Sequence, residues 1–126
     1  MKKIINTDKA PGAIGPYSQG VCAGPFFFFS GQIPLDPATG QMVGSDAASQ
    51  AERVLENVKA LLESQGLSFK DVVKTTVFIT DMANFAAVNE VYSRYFTEDY
   101  PARSCVAVAA LPKGALVEIE VVAYKG

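Results

Sequence analysis

Four phenylalanines in a row, Phe26 to Phe29, stand between the turn signal Gly24-Pro25 and the small pair Ser30-Gly31. Successive side chains of a strand leave opposite faces, so two of these rings point to each side of whatever sheet contains them. Such a sheet needs apolar cover on both faces, or it leaves an aromatic patch for another surface to bury.

The rest of the chain supplies one layer of cover. From Ser45, a candidate N-cap followed by Asp46 in the first turn, apolar residues recur at Ala47, Ala51, Val54, Leu55, Val58, Leu61 and Leu62 before Gly66. That spacing predicts an amphipathic helix of about five turns ended by a glycine. Phe85, Val88, Tyr92 and Tyr95 predict a second helix, ending at the connection from Thr97 to Pro101. Strands are expected over Lys3 to Ile5, Gln19 to Ala23, Phe26 to Ser30, Val72 to Ile79, Arg103 to Ala109 and Leu116 to Tyr124. The last two, joined by a short loop holding Pro112 and Gly114, suit an antiparallel hairpin.

The order is βββαβαββ, and the simplest packing is α+β: a single mixed sheet with two helices on one face, forming one domain over residues 1–126. Two helices on one face leave the other face open. Two phenylalanines and a row of valines then have no cover, and the expected remedy is a homo-oligomer in which the sheet packs against other copies. A loop folded over the open face is the alternative.

Composition narrows the chemistry. The chain has no histidine, which removes Ser-His-Asp and Cys-His nucleophile activation, a histidine general base and histidine-ligated metal. Cys22 and Cys105 are far apart and form neither a redox dithiol nor a four-cysteine metal site. The longest unbroken run of large apolar side chains is Phe26 to Phe29, far short of a membrane span, and Lys2-Lys3 leads into polar residues instead of a signal-peptide core; a cytoplasmic protein is expected. A net charge of −2, a pI near 5.0 and the lack of a Lys/Arg cluster give no footprint for nucleic acid.

Arg103 opens an apolar strand and needs an anion, either a protein carboxylate such as Glu118 or Glu120 or the carboxylate of a ligand. Cys105 shares its face two residues on, and reads either as a small packed hydrophobe or as a thiol beside a guanidinium. Glu118 and Glu120 share one face of the last strand, with an interface ion pair expected for Glu120. Tyr17, Ser30 and Gly31 lie in loops at strand ends, where small residues admit a ligand to backbone amides and a tyrosine can close a wall; turn geometry explains them equally. Asn89 interrupts the apolar face of the second helix, as a satisfied amide or an interface hydrogen bond.

These pieces occur in Ala13-Ile14-Gly15-Pro16-Tyr17-Ser18-Gln19, Ser30-Gly31-Gln32-Ile33-Pro34, Asn57-Val58, Val73 to Phe78, Asn89-Glu90-Val91-Tyr92, Pro101-Ala102-Arg103-Ser104-Cys105-Val106 and Leu111 to Glu120. In this order and spacing the chain resembles the Rid family of reactive-intermediate deaminases, RidA-type, from Ile5 to Ala123. The resemblance implies a chorismate-mutase-like (bacillus-type) fold, a homotrimer, and hydrolysis of 2-imino acids such as 2-iminopropanoate and 2-iminobutanoate, with their enamine tautomers, to 2-oxo acids and ammonia. That activity protects pyridoxal-phosphate-dependent enzymes from 2-aminoacrylate. The resemblance implies no cofactor and no metal, and sites in clefts between subunits. Matching positions are Arg103, Glu118 and Cys105 for catalysis, and Tyr17, Ser30, Gly31, Asn89 and Arg103 for substrate binding, with Arg103 clamping the substrate carboxylate and Glu118 handling the attacking water. A protonated imine is already electrophilic, so orienting a water suffices where no histidine exists. The competing functions are a 2-oxo acid binding or regulatory module, and RNA cleavage or translation inhibition.

Overall fold

Asp46 starts the long helix. In the computed structural model, which describes residues Met1–Gly126, its carboxylate accepts from the Ser49 amide at 2.8 Å while the Ser49 hydroxyl accepts from the Asp46 amide at 3.4 Å. This reciprocal capping box moves the N-cap one residue beyond the expected Ser45, because Asp46 is the residue with an oxygen-bearing side chain three positions ahead. Helix α1 (Ala47–Ser64) ends at Gly66, whose φ of +70° is the left-handed conformation glycine adopts freely. There the Gly66 amide donates to Glu63 and the Leu67 amide to Leu62, the bond pair of a Schellman cap.

The strands are β1 (Lys3–Ile5), β2 (Gly20–Ala23), β3 (Phe26–Gln32), β4 (Val72–Ile79), β5 (Ala102–Ala107) and β6 (Val117–Tyr124), with α2 (Phe85–Tyr95) between β4 and β5. They form one mixed sheet in the order β1-β2-β3-β6-β4-β5. Only β4 and β5 are parallel, joined by α2 as a crossover. The expected β5–β6 hairpin does not form. Val117, Ile119, Val121 and Ala123 of β6 are essentially fully buried, so β6 takes a central place between β3 and β4. β5, mostly exposed and carrying Arg103 near its start, takes the edge outside β4.

Both helices cover one face. Val54, Leu55, Val58, Leu61 and Leu62 of α1, with Val88, Val91 and Tyr92 of α2, pack on Phe29, Val77, Ile79, Ile119 and Val121. On the open face Phe26 and Phe28 stay 41% and 47% exposed beside Tyr124, whose ring meets Phe26 edge-on at 5.1 Å. Val106, on the same face of β5, is exposed as well. No helix is long and apolar enough to cross a membrane.

Candidate active site

The parallel β4–β5 register sets Thr75 beside Arg103 and Val77 beside Cys105, which puts Arg103 and Cys105 on the helix-covered face. There α2 meets the edge strand. The Arg103 guanidinium stands 4.8 Å from the Tyr92 ring centroid and 5.7 Å from that of Phe85, and its Nη1 donates to Asn89 Oδ1 at 2.6 Å. Tyr92 is itself fixed, its hydroxyl sharing a 2.8 Å hydrogen bond with the fully buried Thr75. Burial raises the Tyr92 phenol above its ordinary value, against the pull of Thr75 and the Arg103 charge, so the ring under the cation is neutral.

The ion pairs of the chain are Lys70–Glu98 and Arg94–Glu90, so the protein-carboxylate alternative for Arg103 fails within the chain. Its reason is register. Glu118 pairs across from Phe78 and Glu120 from Thr76, both on the open face, whereas Arg103 lies on the other. What remains is a guanidinium stacked and aimed, with donors free for an anion. It borders a cavity of about 340 Å³ with Asn89, Tyr92, Ser93, Tyr100 and Pro101. Burial pushes the Cys105 thiol up, with Arg103 pulling it down less, which favours the packed, neutral sulfur over a thiolate.

Glu118 borders a second cavity, of about 290 Å³, with Tyr17, Gly31, Ile33, Pro112 and Lys113. A bulge between Phe29 and Gln32 brings Gly31 so close that a Cβ there would overlap the Glu118 carboxylate. Burial raises the Glu118 carboxyl, and neighbouring Glu120 raises it further. The Tyr17 hydroxyl accepts from the Ile14 amide at 3.5 Å and the ring remains half exposed. The Ser30 hydroxyl donates to the Ser18 carbonyl at 2.6 Å, so its proton is engaged inside the chain.

One chain therefore keeps the predicted site residues in two separate groups: Arg103, Asn89 and Cys105 where the edge strand meets α2, and Glu118, Gly31 and Tyr17 at the loop end of the sheet. No residue lines both cavities. Sequence reasoning missed Thr75 and Phe85 as supports of Arg103 and treated Tyr92 as packing. The available signal was that a buried tyrosine needs a partner for its hydroxyl, and Thr75 is the polar residue among inward-facing Val72, Val77 and Ile79.

Residues 7–125 match the family described as Endoribonuclease L-PSP, which is the Rid family. The chain belongs to the Rid family. Among Rid relatives, a RutC family protein of Pyrococcus horikoshii is 54% identical over 125 residues, 99% of each chain. Escherichia coli TdcF, whose name proposes a reactive intermediate deaminase, is 55% identical over 128 positions, covering 99% of this chain and 98% of TdcF. In three dimensions the Rid fold of a Thermotoga maritima protein, named as a candidate endoribonuclease, superposes with a TM-score of 0.96 at 59% identity, covering 100% of this chain and 99% of that one. TdcF crystallised with bound serine superposes with 0.93 at 54% identity, covering 98% and 99%.

Proposed function

We propose that this protein is a cofactor-independent imine deaminase. It hydrolyses 2-imino acids of the size of 2-iminopropanoate and 2-iminobutanoate, and so clears the 2-aminoacrylate tautomer that damages pyridoxal-phosphate-dependent enzymes. The observation that carries the reading is Arg103, a guanidinium held by Asn89 and Tyr92 with no carboxylate of its own chain to neutralise it. A planar fork held this way suits a substrate carboxylate, taken in two parallel hydrogen bonds. TdcF, with a serine in its crystal structure, supports a small amino-acid skeleton as the ligand class.

Glu118 supplies the base. Its raised pKa suits proton transfer near neutrality better than an ordinary glutamate would. Water attacks C2 of the protonated imine while Glu118 takes a water proton, giving a tetrahedral carbinolamine. Glu118 returns that proton to nitrogen, the C–N bond breaks, and ammonia leaves with the carbinolamine hydroxyl proton released as the 2-oxo acid forms. Tyr17 closes a wall, Gly31 gives the room in which the water sits, and the Cys105 backbone amide is the remaining donor.

Because Arg103 and Glu118 lie on opposite faces, the working cleft in this reading forms between copies, in a homotrimer that buries Phe26 and Phe28. Phe28→Asp is expected to yield monomers in size-exclusion chromatography and to abolish turnover. The direct test generates the imine with an amino-acid oxidase or a dehydratase and follows 2-oxo acid release. Release no faster with the protein than without it ends the deaminase reading. The family's ribonuclease description favours RNA cleavage as a second reading; an acidic chain without histidine opposes it, and incubation with single-stranded RNA decides.

A further inference from the structure

Gln19 spends its whole side chain on one piece of irregular backbone. Only 2% exposed, it donates from Nε2 to the carbonyls of Thr7 (2.9 Å), Ala10 (3.3 Å) and Pro11 (2.8 Å) and accepts at Oε1 from the Thr7 amide (2.7 Å). Its backbone carbonyl also accepts from the Ser30 amide at 2.9 Å, which ties it to the strand that ends in Gly31. The segment from Thr7 to Gly12 has no strand or helix to hold it, and Pro11 and Gly12 line the Glu118 cavity together with Gln19 itself. A buried carboxamide with this many backbone partners is costly to disturb and fixes the geometry of whatever it binds.

We propose that Gln19 is a positioning residue for Glu118, clamping the Thr7–Gly12 wall in place so that the cavity stays narrow and bulk water is kept from the carboxyl, leaving room for the reacting water alone. The proposal rests on the reading of Glu118 as the working carboxyl. It acts through exclusion of bulk water rather than contact with substrate. With the clamp gone the wall loosens, bulk water reaches Glu118, and the burial that raises its pKa is relieved, while the smaller raising effect of Glu120 on the same strand and the Lys113 side of the cavity stay in place. Arg103, in the other cavity, is untouched.

The test uses the full chain with Gln19→Met, which keeps length and volume but removes the four side-chain hydrogen bonds and leaves the backbone bond to Ser30. The first readout needs no activity: the Glu118 carboxyl titration followed by carbon-13 NMR. Its midpoint is expected to fall toward the ordinary glutamate range. In the coupled imine assay the acid limb of the pH profile falls with it and kcat drops about tenfold, while KM stays within about twofold. Leu62→Ala, a core truncation in α1, is the control: it lowers Tm without moving the Glu118 midpoint. Gln19→Asn, one methylene short, gives the same shift in milder form should the methionine variant fail to fold. A folded variant with an unmoved midpoint overturns the proposal, and so does failure of both variants to fold, since Gln19 is then a support of the whole domain. A moved midpoint in a protein without imine hydrolysis removes the deaminase reading and leaves the clamp; an active wild type with an unmoved midpoint does the reverse.

Discussion

A methyl group placed on Gly31 collides with Glu118. The Cβ of Gly31→Ala overlaps the carboxylate oxygen and lies 2.9 Å from Cδ and 3.2 Å from Cγ. Non-bonded carbons rest at about 3.5–4.0 Å, so the carboxyl group has to withdraw by about 1 Å. Gly31 does not have a left-handed backbone, and the obstacle is the far end of a flexible side chain, so the fold absorbs the change at about 1 kcal/mol or less, a few degrees in Tm. Catalysis does not absorb it. A displacement of about 1 Å in a reacting group costs as much as about a hundredfold, and kcat/KM in the coupled assay is expected to fall by about 10- to 100-fold in a protein of unchanged assembly and near-native Tm. The cause is isolated by a double-mutant cycle, since Gly31→Ala adds no further loss in a Glu118→Gln background if it acts through that carboxyl. Wild-type kcat/KM in Gly31→Ala, or an equal loss in both backgrounds, refutes the argument.

Arg103→Lys keeps the charge and loses the fork. Losing a bidentate charge-assisted contact of about 1.5–3 kcal/mol predicts a 10- to 100-fold fall in kcat/KM, with thermal melting almost unchanged; activity within threefold of wild type would make Arg103 dispensable as a clamp. Glu118→Gln tests the sign of the carboxyl shift. A folded pKa above the unfolded one means that stability falls as pH rises through the window above the ordinary glutamate value, so the glutamine variant is expected to melt higher than wild type at pH 7, to lose that advantage below pH ~4, and to keep only a small, measurable residue of kcat/KM. A lower Tm at pH 7 contradicts the shift. Cys105→Ala is expected to keep kcat/KM within about threefold, because burial holds the thiol neutral; a loss above a hundredfold would return the sulfur to the chemistry.

The elements were legible where periodicity spoke plainly. α1 and its glycine stop follow from seven apolar positions, and the exposed half of the phenylalanine run follows from strand alternation alone. Pairing was not legible. The short loop around Pro112 reads as a hairpin by its length, yet β6 sits between β3 and β4 because its inward side chains are all aliphatic and need cover on both flanks. β5 carries the arginine and goes to the rim. That single rearrangement also decides the site: in a hairpin Arg103 would face Glu118 or Glu120, and in the actual sheet a parallel neighbour and α2 take their place. Gln19 stood in the sequence as the polar residue opening an expected strand, and only the folded backbone shows the four backbone groups that use it.

The division of Arg103 and Glu118 between the two faces of one sheet has a genetic consequence for the proposed assembly. If the working cleft is shared by neighbouring copies, a subunit lacking the arginine still lends its glutamate, and a subunit lacking the glutamate still lends its arginine. Two alleles, each crippled alone, are then expected to complement when expressed together, since a mixed closed ring of three would keep one intact cleft.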